Sequence, residues 1–258
     1  MGSDQRCLLA LLFLWFASPL SAADPVSGGG PLNLLITYRS QPADRPAFRT
    51  YLQNEHRAQL EKLREQGVLK SYQILFNPFV SSGTWDAMTV LGFTHYSDTQ
   101  RWKEIERTMP GGLTAKGLRL AKPVDTYSAD LTWSGAGETA SDDRASVYYV
   151  IPYEYVALGP YKKYVDAYVI PQVQGWMRKG ALAGYRIFMH RFPVGPTWDA
   201  LFIYQYRDLE AFGHRDEVIA EVRQPLMDDP VWKQFHDTKQ SIRTETENTI
   251  TESIAGSQ

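Results

Sequence analysis

Cysteine is almost absent: a single one, Cys7, stands in 258 residues. That excludes an internal disulfide and a thiolate metal site, since each needs at least two. An excess of either charge is missing as well. With 27 basic and 29 acidic residues and a formal net charge of −2, the chain lacks the basic footprint of a general nucleic-acid binder, and no nucleic-acid partner is expected. Beyond the first residues no apolar run is long enough for a transmembrane helix. Core material is plentiful instead: 43% of the residues are hydrophobic and 13% aromatic, unlike a disordered chain.

The apolar run Cys7 to Phe16 follows Arg6, is too short to span a bilayer, and leads into Ser18-Pro19-Leu20-Ser21-Ala22-Ala23. Ser21 and Ala23 are small where a signal peptidase reads the third and first positions before its cut. The pattern predicts a signal peptide over 1–23, cleaved after Ala23, and an exported protein, periplasmic or secreted, that has no membrane contact after cleavage. The alternative keeps the same segment as an uncleaved anchor. Residues 24–32, containing Gly28-Gly29-Gly30, read as a linker.

The rest of the chain repeats itself. Shifted by 113 positions, Gly67, Leu69, Tyr72, Ile74, Phe79 and Thr84-Trp85-Asp86-Ala87 fall on Gly180, Leu182, Tyr185, Ile187, Phe192 and Thr197-Trp198-Asp199-Ala200. The expected register runs without a gap from Leu34/Val147 to Ala87/Ala200. A shared string containing tryptophan makes coincidence a poor explanation, and repeats decide the fold before any single element does. The polar stretch 134–145 separates the copies as a linker, leaving repeat 1 over 33–133 and repeat 2 over 146–254.

Both copies show one order of elements. Leu34 to Tyr38 and Val147 to Ile151 are apolar runs of strand length. Next comes a helical stripe, Phe48, Leu52, His56, Leu60 and Leu63, matched by Tyr161, Val165, Val169, Val173 and Trp176. Gly67 and Gly180 stand where a helix end favours a left-handed residue. Two strands follow, 69–79 and 84–94 or 182–192 and 197–206. Asp98 or Asp208 then caps a second helix, and a polar strand closes each copy around 124–131 and 242–250. This is βαββαβ twice, an α+β fold in which each sheet can bury its bare face against the other.

In element order and duplication the chain resembles the dimeric α/β-barrel superfamily, in the tandem form where one chain supplies both ferredoxin-like halves. Glu55-His56 through Leu60, Leu63, Gly67 and Leu69 is similar to YCII-type and related monooxygenase-type segments. The resemblance implies an intramolecular dimeric α/β barrel.

Strand alternation nominates the site. Tyr72, Ile74 and Phe76 share one face, as do Tyr185, Ile187 and Met189; Gln73, Leu75, Asn77 and Phe79 share the other, as do Arg186, Phe188, His190 and Phe192. The second set mixes polar and apolar groups, as a ligand-lined interior would. Trp85, Thr89 and Leu91 are expected on one face, and likewise Trp198, Phe202 and Tyr204. Arg186 and His190, four apart on one strand, could hold an anionic or enolic oxygen, or could stand at a solvated sheet edge. His56 lies on an apolar helical stripe and is replaced by Val169 in the second copy, so it is either a general base or a core histidine. The candidates are therefore His56 and His190 for catalysis, and Arg186, Asn77, Tyr204 and Trp198 for ligand binding. The paired Trp-Asp dipeptides also suit a shared turn.

No metal is expected: there is no His-Glu-x-x-His helix, and His95, His214 and His236 lack ligand spacing. His214-Arg215-Asp216 has no kinase context around it, and no Gly-x-Ser-x-Gly elbow occurs. Three functions stay open. The first is a small-molecule site between the half-barrels, for binding or cofactor-free chemistry on a hydrophobic oxygenated compound, in a monomer or homodimer. The second is implied by the resemblance to chlorite dismutase and dye-decolourising peroxidase: a haem protein with His190, His214 or His236 as axial ligand, although the peroxidase Gly-x-x-Asp-Gly signature is absent. The third is a non-catalytic structural or partner-binding module. Fold alone does not choose among them.

Overall fold

The computed structural model describes residues 32–137, 145–191 and 197–257. The expected leader 1–23 lies outside them, as do most of the linker 24–32 and Phe192. The first half runs β1 (Leu32–Ser40), a helix over 45–65, β2 (Ser71–Phe76), β3 (Ala87–Gly92), helices Thr99–Thr108 and Ala115–Leu120, and β4 (Ala121–Ala136). The second runs β5 (Val147–Tyr155), a helix over 158–178, β6 (Leu182–His190) and β7 (Ala200–Tyr206). Helices Leu209–Gly213, Arg215–Leu226 and Pro230–Thr238, then β8 (Arg243–Glu245) and β9 (Thr249–Ser257), complete it. This is the expected pair of βαββαβ units. Among the described residues no helix is long and apolar enough to cross a membrane.

The strands pair in the order β7-β6-β4-β1-β3-β2-β9-β5, and β5 pairs back to β7, so eight strands close into a barrel with β8 added on β5. The closure depends on two long strands that change partners. The 16-residue β4 follows β1 from Ser40↔Ala121 to Leu32↔Asp130, then pairs with β6 from Ala129↔His190 to Ala136↔Gly184. β9 pairs with β5 at Thr249 to Glu252 and continues along β2 to Tyr72↔Ser257. Residues 134–136 are therefore strand and not linker. Their polar composition misleads because the barrel's outer face is solvated there, while the backbone still finds ladder partners.

The register carries a second correction. Tyr38 pairs with Ala87 and Tyr153 with Ala200, so the two first strands correspond at an offset of 115, whereas the following helices and β2/β6 keep 113. The second copy lacks two residues in the turn after its first strand, where the first copy holds Pro42–Asp44. A shift of two preserves side-chain facing in a strand, so hydrophobic pattern is blind to it.

Helix 45–65 runs as Arg45–Tyr51, a π turn Leu52–His56, and Arg57–Glu65, and the second copy repeats the π turn at Val165–Val169. The reason is in the stripe. Phe48, Leu52, His56 and Leu60 are spaced four apart, and each such step overshoots an α-helical turn by about 40°. One wider turn takes up the drift and keeps all four side chains buried against the sheet. Gly67 and Gly180 end these helices at φ +67° and +72°, as expected. Three cores result: one between sheet and helices in each half, and one inside the barrel, where Leu35, Leu75, Met88, Val150, Phe188 and Ile203 meet.

Candidate functional site

Alternation on β2 and β6 holds as expected. Tyr72, Ile74 and Phe76, like Tyr185, Ile187 and Met189, point to the helices; Leu75 and Phe188 point into the barrel. Inside, the Arg186 guanidinium donates to the Gln73 side-chain oxygen and lies 5.8 Å from the Phe188 ring. Gln73 and Arg186 occupy the same position in the two copies. They meet because the halves are related by a pseudo-twofold axis, and the Gln/Arg difference makes the interior asymmetric.

The two Trp-Asp dipeptides divide their work. Each aspartate turns outward to hold the end of its half's first strand: Asp86 accepts from the Ser40 amide at 2.6 Å and Asp199 from the Tyr155 amide at 2.9 Å. Each tryptophan drops inward, so Trp198 and Trp85 both pack on the barrel core. This corrects the face assignment. Trp198 does not share a face with Phe202 and Tyr204, nor Trp85 with Thr89 and Leu91, because both dipeptides precede the regular strand and escape its alternation. Tyr204 lies instead in the helix-side core, edge-on to Trp176 at 5.7 Å.

Trp85 and Trp198 border one cavity of about 380 Å³ at the barrel mouth, with Arg39, Asp125, Tyr127, Glu154 and Glu247 around them. Its wall is aromatic: Trp198 lies 5.0 Å from Tyr127 and 5.0 Å from His190, and His190 stands edge-on to Tyr127 at 5.6 Å. His190 Nδ1 is 3.1 Å from the Trp198 carbonyl. A carbonyl can only accept, so Nδ1 carries the proton, and in the neutral ring Nε2 is the lone-pair nitrogen. Burial, with Asp125 beside it, pushes the Tyr127 phenol up to about 12, so it remains a neutral donor at ordinary pH. The Arg39 guanidinium is tied to the backbone carbonyls of Ser82 and Thr84. Across the halves, the hydroxyls of Thr84 and Thr249 meet at 2.8 Å. Of the six candidates Trp198 lines this cavity, His190 packs against Trp198 beside it, and Arg186 lies apart from its lining, on Gln73 inside the barrel.

The others do not join them. Asn77 is buried in the β2–β3 turn, where its side chain accepts from the Phe79 amide at 2.9 Å and donates to the Trp85 carbonyl at 3.4 Å. His56 is fully buried in the first half's helix-side core, 3.2 Å from the Thr89 hydroxyl and between the rings of Tyr38 and Tyr51. Its Nδ1 faces the Gly112 carbonyl without a well-formed hydrogen bond. Desolvation lowers it from the usual 6.5 to about 4. A base that weak and that enclosed belongs to packing, the other role open to it.

Gly112 closes this layer at φ +70°, where an added Cβ would stand 2.7 Å from the Trp102 ring. Gly112→Ala is expected to cost more than about 1 kcal/mol, since neither the backbone angle nor the space suits alanine. A thermal melt beside wild type checks it, and an unchanged midpoint would show that the loop relaxes freely.

Among residues that the candidate set missed, Trp85 was findable, because duplication pairs it with Trp198. Tyr127 and Asp125 were hidden in a strand of polar composition. Among the described residues no group of three or more His, Cys, Asp or Glu side chains could hold a metal ion.

No family model matches the sequence, and no curated protein matches it. Solved structures do. A Fusobacterium nucleatum protein described as a candidate monooxygenase aligns with a TM-score of 0.55 and 11% identity, over 88% of this chain and 94% of its own. An anthrone oxidase-like protein aligns at 0.57 and 9%, over 88% and 92%. A variant of chlorite dismutase from Candidatus Nitrospira defluvii aligns at 0.54 and 11%, over 88% and 92%. The likeness covers both halves and is one of fold: the chain is a pseudo-dimeric ferredoxin-like barrel, similar in fold, at low identity, to these structures.

Proposed function

We propose that this barrel binds a small organic molecule in its mouth, with an apolar or aromatic body held against Trp85, Trp198 and Tyr127. The observation that carries the reading is the convergence of two duplication-related tryptophans on one cavity of about 380 Å³, a volume within the usual range for small-molecule sites. His190, packed on Trp198 with Nδ1 held by the Trp198 carbonyl, is the histidine nearest that lining, and cofactor-free proton transfer through it belongs to the same proposal. Export after removal of residues 1–23 is also proposed, on the Ser21/Ala23 pattern, and N-terminal sequencing of the protein recovered from its source tests it.

The structural likeness to chlorite dismutase raises haem as the second reading. A porphyrin needs a flat slot with an axial donor facing it. The helix-side space of the second half is filled by Tyr161, Tyr164, Tyr168, Trp176 and Tyr204. His236 is bonded to Tyr168 at 3.1 Å and stacked on Trp232 at 5.2 Å, while His214 is exposed beside Glu217. His190, the third axial candidate, is packed against Trp198 at 5.0 Å and Tyr127 at 5.6 Å, and none of the three histidines lines the mouth cavity; these residues do not fit the group, and no step is routed through it.

The test combines native mass spectrometry and an absorption spectrum of protein purified from its source. An organic adduct that is lost, or bound at least tenfold more weakly (about 1.4 kcal/mol), in Trp198→Ala and Trp85→Ala is expected. A Soret band would favour haem and overturn the mouth reading, and so would an adduct indifferent to both tryptophans.

A further inference from the structure

We infer that the ligand of the barrel mouth is an organic cation, an ammonium or guanidinium carried on an apolar body; the inference rests on the binding site proposed above. Two observations carry it. The first is the sign of the rim. Asp125, Glu154 and Glu247 border the cavity against a single cation, Arg39, which keeps its charge but is held in place by the Ser82 and Thr84 carbonyls, so the rim is net negative. Among the described residues none of the three carboxylates makes an ion pair, whereas Asp86, Asp130 and Glu252 are each paired with an arginine. The second is the wall, where two indoles and a phenol line the same space, Trp198 packed 5.0 Å from Tyr127.

The carboxylates are spread around the opening, and no group of them among the described residues is placed to chelate a metal ion. A diffuse cation wider than a metal matches that spacing. Magnitudes assign the roles. The three carboxylates are solvent-exposed, so each pairing with a ligand is weak, whereas a cation gains more against an aromatic ring as it leaves water. The rings therefore supply affinity. The carboxylates select the sign of the ligand and hasten its arrival, an effect that salt screens. An anionic ligand would face the same rim unfavourably, with Arg39 already engaged.

Calorimetric titration with three probes of one shape decides it: phenyltrimethylammonium, its neutral isostere tert-butylbenzene, and the anion 4-tert-butylbenzoate. The ammonium is expected to bind at least tenfold more tightly than the other two, and more weakly as salt rises. The surface double variant Glu154→Gln/Glu247→Gln, which leaves the core untouched, should lower ammonium affinity several-fold and flatten its salt dependence. Trp198→Ala should lower it at least tenfold. Neutral or anionic probes binding as well as the ammonium, yet lost in Trp198→Ala, would overturn the cation class and leave the mouth as a site. Ammonium binding that survives both Trp85→Ala and Trp198→Ala would overturn the mouth itself. No binding of the ammonium by the wild type, or an affinity unmoved by the double glutamine variant, overturns the cation class.

Discussion

Acidification from pH 6.5 to 4 is expected to remove about 3 kcal/mol of folding stability through one side chain, His56, whose proton affinity burial lowers from 6.5 to about 4. The sign follows from proton counting. Between these values the unfolded chain binds a proton at His56 and the folded chain does not, so stability falls as pH falls. The contribution is intact above about 6.5 and lost by about 4. The imidazole is packed against Tyr38, Tyr51 and Thr89, with no carboxylate among them, and the Gly112 carbonyl offsets only part of the burial.

The second half supplies the control, because Val169 stands at the matching point of its own π turn. His56→Val should lower stability at pH 7 by about 1–2 kcal/mol, since it removes the imidazole's hydrogen bond with the buried Thr89 hydroxyl. At pH 4 it should instead be the more stable protein. Urea unfolding of both proteins at pH 7, 5 and 4 reads this directly. Parallel curves that never cross would mean His56 is hydrated or charged in the folded state.

Asp86→Ala is expected to be the most damaging single change at the rim of the barrel, costing about 3–5 kcal/mol. Asp86 and Arg45 are 4% and 7% exposed and form an ion pair. Arg45 also donates to the carbonyls of Asn77 and Phe79, so it cannot swing out to water without giving up the turn. Losing the aspartate strands a guanidinium in the protein interior and frees the Ser40 amide. The duplicate again measures the difference. At the position of Arg45 the second copy has Leu158, which is exposed, and Asp199 holds the Tyr155 amide with no buried arginine beside it among the described residues. Asp199→Ala should therefore cost about 1–2 kcal/mol. Arg45→Leu combined with Asp86→Ala should recover part of the single-variant loss, because the uncompensated charge is gone. Equal losses for Asp86→Ala and Asp199→Ala in denaturant titrations would show that the ion pair adds nothing.

The repeat was legible because Thr-Trp-Asp-Ala recurs with its surrounding glycines, and the βαββαβ order because a period of four gives way to alternation and back. The inward set on β2 and β6 was legible for the same reason: alternation survives where a strand is regular. It stops one or two residues outside the ladder, which is why Trp198 was grouped with Tyr204 while its ring faces the opposite way. Burial is not chemistry either. His56 sits on an apolar stripe in both readings of it, and only the surrounding rings show it to be enclosed. The rim carboxylates were invisible because Asp125, Glu154 and Glu247 come from three segments far apart in sequence, and no local pattern announces a ring assembled by closure.

That closure has a kinetic side. The seam between β2 and β9 joins Phe76 to Glu252 and Tyr72 to Ser257, so the first half's sheet keeps an open edge until a segment from the far end of the second half arrives. Contacts of such sequence separation form late and slowly, and an unpaired strand edge is a template for other chains in the interval. Folding of this barrel is thus a race between its own last strand and a neighbour's. Dilution or a chaperone that shields the β2 edge should raise its refolding yield more than any gain in native stability would.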